Sequence, residues 1–217
     1  MTRVRGSDFR TRRQTVLSDS EFLDAMNRAG RIKDVFLSLR ARAVLCLLRL
    51  TGKRRGEIAI LSLSNFKVED NFLNVTFILA KKRKETVLSK TAKKSIPLSD
   101  PLTEPIITYL EHLRSLEPFP AYFLPRVRSV FGNNFIVSNS HISGRQVFNI
   151  VRSVSDTVWP HLFRETVASD IIKQDNSIIA AFKVQRRLDL ESVNTGFNYL
   201  RRFSADIIQR QEQQDND

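Results

Sequence analysis

Between Ser18 and Leu50 the apolar positions recur at helical spacing, and the polar residues that interrupt them mark where helices begin and end. Ser18-Asp19-Ser20-Glu21 has the spacing of a capping box, in which a serine and a glutamate three residues apart satisfy each other's free amides. It predicts a helix through about Ala29. A second helix is expected from about Asp34 to Leu50, closed at Thr51-Gly52 because glycine takes the left-handed cap without steric cost. A short helix carrying Arg54 and Glu57 resumes before Ser64-Asn65. The period then changes. Phe66 to Ala80, with Val68, Phe72, Leu73, Val75, Phe77 and Leu79, reads as β structure, and Ser95 to Leu98 as another strand. A lysine-rich stretch, Lys81 to Lys94, lies between them.

Pro101 through Glu117 returns to a helical pattern. Pro118, Pro120 and Pro125, interleaved with Phe119, Tyr122 and Phe123, then predict a packed connection rather than regular structure, wrapped onto the core. Ser143-Gly144-Arg145-Gln146 is a second capping-box spacing and opens a helix to about Val158, while Pro160 suits the first turn of the next helix. Further helices are expected over Ser177 to Leu188 and Val193 to Arg202. The final segment, Phe203 to Gln214, is loosely amphipathic with a polar end. There is no internal repeat. The fold class that follows is α+β: a mostly helical domain with one small antiparallel sheet near its middle.

At 217 residues the chain can bury a sizeable core without disulfides, and one domain is expected. Composition adds a partner class. Lys and Arg number 35 against 23 Asp and Glu, a net charge of +12 that points to a polyanion, with nucleic acid ahead of an anionic membrane surface. The longest apolar run, Ala43 to Leu50, is interrupted by Arg49 and is too short to span a bilayer. The basic N-terminus lacks the apolar run of a secretory signal, so the expected location is cytoplasmic. The one cysteine, Cys46, sits in an apolar helical run and reads as a small core residue. His112, His141 and His161 are scattered, with no zinc spacing, and no phosphate-cradling glycine loop is present. Neither metal nor cofactor is expected.

The candidate chemistry lies in His161-Leu162-Phe163-Arg164 and in Tyr199 downstream. A spacing of three puts the histidine and the arginine over one patch of helix surface, where they can grip one phosphate. Alone, an H-x-x-R tetrapeptide describes a solvated helix face more often than a site. Joined to Arg54, a hairpin lysine and Tyr199, it makes the set that phosphodiester transesterification needs. Two arginines neutralise charge building on the non-bridging oxygens, a lysine or histidine protonates the leaving 5′ oxygen, and the tyrosine attacks. The covalent phosphotyrosyl intermediate conserves the energy of the broken bond, so rejoining needs neither metal nor ATP.

In these residues the chain resembles the tyrosine recombinase (phage integrase) family. Thr51-Gly52-Lys53-Arg54-Arg55-Gly56-Glu57-Ile58 is similar to its first box, T-G-x-R-x-x-E-L, which implies that Arg54 is catalytic and Glu57 supports it. Pro160 to Arg164 is similar to the second box, implying catalytic roles for His161 and Arg164. Leu188 to Tyr199 aligns with the terminal L-G-H-x-x-x-x-T-x-x-x-Y and ends at Tyr199 as nucleophile. The resemblance also implies a catalytic lysine in the β hairpin. Lys81, Lys82, Lys84, Lys90, Lys93 and Lys94 are available, and Lys82 is the choice. Lys53, Arg55, Lys81 and Lys84 are expected to contact DNA. Trp159 is expected to pack in the core, and Tyr109 and Tyr122 lack the box that surrounds Tyr199.

The departure is Leu190, which stands where the family has histidine and can neither donate a hydrogen bond nor move a proton. Three readings follow: a weakened site, participation of Glu191 or Asp189, or DNA binding without catalysis. Retained activity is the expectation, because transition-state charge stabilisation is usually the larger contribution. The organisation expected is a basic flexible arm over 1–16, a catalytic domain over 17–202 and a tail helix over 203–217. The family's separate helical core-binding domain does not fit in the roughly 50 residues before Arg54, so the chain reads as a catalytic fragment or a minimal recombinase. The implied function is a site-specific DNA recombinase or integrase of prokaryotic or viral origin, in the setting of a virus or mobile element. Its partners would be a double-stranded DNA attachment site and further copies of itself in a synaptic complex, whether or not as a tetramer on DNA, and no membrane. The competing readings are a DNA-binding relative without catalysis, a type IB-like topoisomerase of the same chemistry and a basic membrane-surface protein.

Overall fold

The computed structural model describes residues 16–79, 91–130, 133–175 and 177–214. Most of the basic arm and Lys81, Lys82, Lys84 and Lys90 lie outside the described residues. Helix α1 (Asp19–Gly30) opens on the capping box, with the Ser18 hydroxyl accepting from the Glu21 amide and the Glu21 carboxylate accepting from the Ser18 amide. Helix α2 (Val35–Thr51) is capped by the Asp34 carboxylate, which accepts from Leu37 N at 2.9 Å. It runs through the core with Ala43 to Leu48 fully buried, Cys46 among them. Burial pushes the Cys46 thiol up to about 12. Gly52 ends α2 at φ 60°, and a side chain there would meet Leu188 Cδ2 at 2.5 Å. Glycine is therefore required twice over, for its left-handed backbone and for the close approach of the later chain.

After the short α3 (Arg55–Ala59), strands β1 (Phe66–Glu69) and β2 (Phe72–Ile78) form a hairpin, and β3 (Thr91–Pro97) completes an antiparallel sheet in the order β1-β2-β3. Asp70 and Asn71 both have positive φ, 49° and 63°. That is the two-residue primed turn whose twist matches the flanking strands. Phe66, Leu73, Val75, Phe77 and Ile96 face the core.

Helix α4 (Glu104–Arg114) packs on α2 and buries Tyr109 completely. Residues 118–124 are the expected packed connection, with Phe123 and Leu124 buried and Phe123 N bonded to Leu61 O at 2.9 Å. Beyond them the structure departs from the sequence reading. A second antiparallel pair, β4 (Pro125–Val130) and β5 (Asn133–His141), replaces a single-sheet architecture. The cluster of prolines concealed it, but Pro125 is the first residue of its strand, where a missing amide costs little. His141 closes β5 with its ring 5.0 Å from that of Tyr122.

Helices α5 (Gly144–Val154), α6 (Pro160–Gln174) and α7 (Ile178–Leu188) follow. The second capping box is formed at Ser143 and Gln146, and α5 ends four residues short of Val158. Helix α6 is the central one, contacting α2, α5, α7 and α8 and burying Leu162, Phe163, Arg164, Val167, Ala168 and Ile172. Helix α8 (Val193–Gln214) is continuous, so no break separates a domain ending at Arg202 from a tail at Phe203. Phe203 itself is buried among Val167, Ile172, Val184 and Leu188, with Tyr199 packed against the same cluster. Gly196 lets α8 sit on α7, since a Cβ there would fall 2.2 Å from Ala181 O.

Candidate active site

The αL turn at Gly52 and the N-terminus of α6 converge on a cleft of about 460 Å³, lined by Lys53, Arg54, Arg55, Gly56, Phe148, Trp159, Pro160, His161 and Arg164. Arg54 and His161, 107 positions apart in sequence, thus share one cleft. Trp159 is part of that lining as well as packing on the core.

Arg54 precedes α3, and the Glu57 carboxylate accepts from its backbone amide at 2.9 Å and from its guanidinium at 3.1 Å. Glu57 is buried, whereas the Arg54 side chain remains one-third exposed, so the ion pair aims the guanidinium while leaving a face free. Arg164 is almost wholly buried. Its two terminal nitrogens donate to Gly52 O and to Leu188 O, each at 2.7 Å. Those carbonyls belong to the ends of α2 and α7, and carbonyls at helix C-termini are unsatisfied without such partners. Burial, followed by the positive charge of Arg54, pulls the Arg164 guanidinium below its ordinary value, against the opposing influence of Tyr199 and Glu57. The Tyr199 hydroxyl is near enough to the Arg164 guanidinium to act on its charge. Tyr199 reaches the site through that guanidinium rather than by lining the cleft, and its ring stacks on Phe203 at 6.2 Å.

His161, one turn before Arg164, is largely exposed and its Nε2 lies 3.1 Å from Glu165 Oε1. Arg202 of α8 closes on the same carboxylate, at 3.1 and 3.0 Å. Burial opposes ionisation of Glu165, but the hydrogen bond from His161 and the charge of Arg202 outweigh it and hold the carboxyl below its usual 4.5. Glu165 therefore ties the histidine to the helix that bears Tyr199.

The sequence reading placed Lys53 on DNA. The structure turns its ammonium inward instead, 2.8 Å from Asp189 Oδ2 and 4.6 Å above the Phe77 ring, with its side chain fully buried. The same carboxylate oxygen takes Lys94 Nζ at 2.8 Å. Burial resists the charge on Asp189, yet the two lysines hold its carboxyl below the ordinary range; burial and the neighbouring positive charges hold Lys94 below its own. Arg55 remains exposed beside the Phe148 ring, where Arg145 lies 5.0 Å from the same ring. Leu190 packs against the cluster formed by α6, α7 and α8, as Tyr199 does. Tyr109 is buried away from the cleft, and desolvation pushes its phenol far above the usual range. The residues missed by sequence reasoning are Glu165 and Arg202, along with the pairing of Lys94, itself one of the six candidate hairpin lysines. Glu165 was signalled by its i,i+4 spacing from His161, but the other two are brought in by tertiary packing. Among the described residues no cluster of His, Cys, Asp or Glu could hold a metal, and no helix is long and apolar enough to cross a membrane.

Residues 16–205 match the Phage integrase family. The fold is similar to that of solved recombinases. One is XerA recombinase, at TM-score 0.59 and 18% identity, covering 86% of this chain and 60% of that one. Another is XerH site-specific recombinase bound to a palindromic difH substrate in a post-cleavage complex, at TM-score 0.61 and 16% identity, covering 92% and 53%. A third is a lambda integrase dimer bound to a COC' core site, at TM-score 0.52 and 18% identity, covering 87% and 48%. The chain spans about half to three-fifths of the length of these structures. No curated protein matches it.

Proposed function

The chain belongs to the phage integrase family, and on that premise we propose that it is the strand-cutting unit of a site-specific DNA recombinase that works through a 3′-phosphotyrosyl intermediate. The observation that carries this reading is the cleft itself, which gathers Arg54, His161 and Arg164, with the Tyr199 hydroxyl close enough to act on the Arg164 guanidinium. In the reaction proposed, Tyr199 Oη attacks the scissile phosphorus, the P–O5′ bond breaks, and the 5′ oxygen leaves with a proton. Arg54 and Arg164 neutralise the charge on the non-bridging oxygens, which is worth most in a site shielded from water. His161, held by Glu165, exchanges the tyrosyl proton, and a lysine of the β2–β3 connection, Lys82 by our reading, supplies the proton to the leaving group. Attack by a 5′ hydroxyl on the phosphotyrosine reverses every step.

The proposed partner is a double-stranded DNA attachment site, approached by more than one copy, and the proposed setting is the genome of a virus or mobile element in the cytoplasm of its host. The charge of +12 supports DNA as the partner. The lambda integrase structure, a dimer on a core site, supports multimeric action. A second reading, DNA binding without cleavage, is favoured by Leu190, whose side chain is spent on packing and brings no proton donor to the third box.

Incubation with nicked suicide duplexes carrying candidate attachment sequences separates the two. We expect a covalent adduct on a denaturing gel that Tyr199→Phe abolishes. Salt-sensitive binding without an adduct would overturn cleavage in favour of the second reading.

A further inference from the structure

The turn from α7 to α8 carries Asp189 at φ 48° and ψ 53°, a left-handed conformation that glycine adopts freely and a residue with a Cβ adopts at a cost. Aspartate tolerates it better than most residues, and here its side chain has a specific use. One carboxylate oxygen is shared by Lys53 Nζ and Lys94 Nζ, both at 2.8 Å, and Lys94 Nζ also donates to Arg186 O at 3.2 Å. The three charges come from three elements: the turn after α2, strand β3, and the end of α7. Each adjoins the site. Lys53 immediately precedes Arg54, and Asp189 immediately follows Leu188, whose carbonyl accepts from Arg164. Arg187 adds a bond to Leu50 O at 2.6 Å, across the same seam.

Without the carboxylate, two buried ammoniums would face each other across that seam, a loss more severe than that of an exposed ion pair. The α7–α8 turn would then be free to relax. With it would move the Leu188 carbonyl that orients Arg164 and the start of the helix that carries Tyr199.

We infer that Asp189 is a positioning residue, whose carboxylate locks the Lys53 turn and β3 to the α7–α8 turn and so sets Tyr199 and Arg164 relative to Arg54. This rests on the proposed reading of the cleft. Asp189 acts through its neighbours and takes no part in bond making.

The test uses the full chain and Asp189→Asn, which keeps the size and the tolerance of left-handed backbone but removes the charge. Hydrogen–deuterium exchange read by mass spectrometry is expected to rise about tenfold or more over residues 186–193 and 51–55, while α1 and α4 stay as they are. Single-turnover adduct formation is expected to fall about tenfold, with DNA affinity within about twofold. Should Asp189→Asn fail to fold, the variant with Lys53→Met, Lys94→Met and Asp189→Asn removes all three charges, and the same local rise is expected. An exchange profile unchanged in the two turns, or raised equally everywhere, would overturn the inference. If the unmutated chain forms no adduct, the cleavage reading fails separately, because the exchange arm alone decides whether Asp189 locks the turns.

Discussion

Arg164 illustrates how a charged side chain can be structural and, in the proposed reaction, chemical as well. Two of its nitrogens are committed to Gly52 O and Leu188 O, and the side chain also lines the cleft. A lysine has a single nitrogen and cannot span two carbonyls while presenting a plane of donors to a phosphate. Arg164→Lys is therefore expected to cost about 2 kcal/mol through a lost charge-assisted bond. It should lower single-turnover cleavage by about 100-fold or more, as the loss of a preorganised donor does elsewhere. Thermal melts and adduct formation on a suicide duplex read the two effects apart. The cleft residues Arg54, Arg164 and His161 were legible in the sequence because short spacings within one helix or turn identify them. Lys53 was not. Its neighbours in sequence are two arginines and a glycine, which read as a solvated basic turn, and nothing local discloses that Asp189, 136 residues away, draws its ammonium inward.

At the scale of elements, the helix termini account for most of the legibility. Ser18 with Glu21, Asp34, Gly52, Ser143 with Gln146 and Pro160 each announce a boundary through a local hydrogen bond or a fixed dihedral, and the structure forms them. The β4–β5 pair was missed because a hairpin's register is a non-local property and the prolines before it suggested irregular chain. The contact between α7 and α8 was equally hidden, though it decides where Tyr199 stands. Gly196 allows that approach, and Gly196→Ala would force its methyl into Ala181 O. The expected cost is about 1–3 kcal/mol, seen as a Tm lower by about 2–4 °C for each kcal/mol. The α6–α8 link through Glu165 is a pH-dependent one. Its folded carboxyl titrates below 4.5, so its contribution to stability is complete above that value and is lost as pH falls through the folded pKa. The Tm difference between the wild-type chain and Glu165→Gln is expected at pH 6 and should shrink towards pH 3; a difference that grows on acidification would contradict the link.

For the whole molecule, one core runs from α1 to the first turn of α6 with the first sheet, and a second cluster of α6, α7 and α8 holds Tyr199. Arg164 and the Lys53–Asp189–Lys94 cluster lie along the seam between those two bodies, with bonds reaching α2, β3 and the end of α7. The cleft at that seam gathers Arg54, Arg55, His161 and Arg164, and the basic excess of the chain favours a polyanion in it. The proposed reaction stands or falls on Tyr199 as the nucleophile of that cleft. The most direct measurement is to trap the adduct on a suicide duplex, trim the DNA with nuclease, digest with a protease and locate the added 3′-phosphonucleotide by mass spectrometry. It is expected on the peptide containing Tyr199, and on the tyrosine itself. A phosphonucleotide on another residue, or unmodified Tyr199 in protein that binds the same DNA, would contradict it.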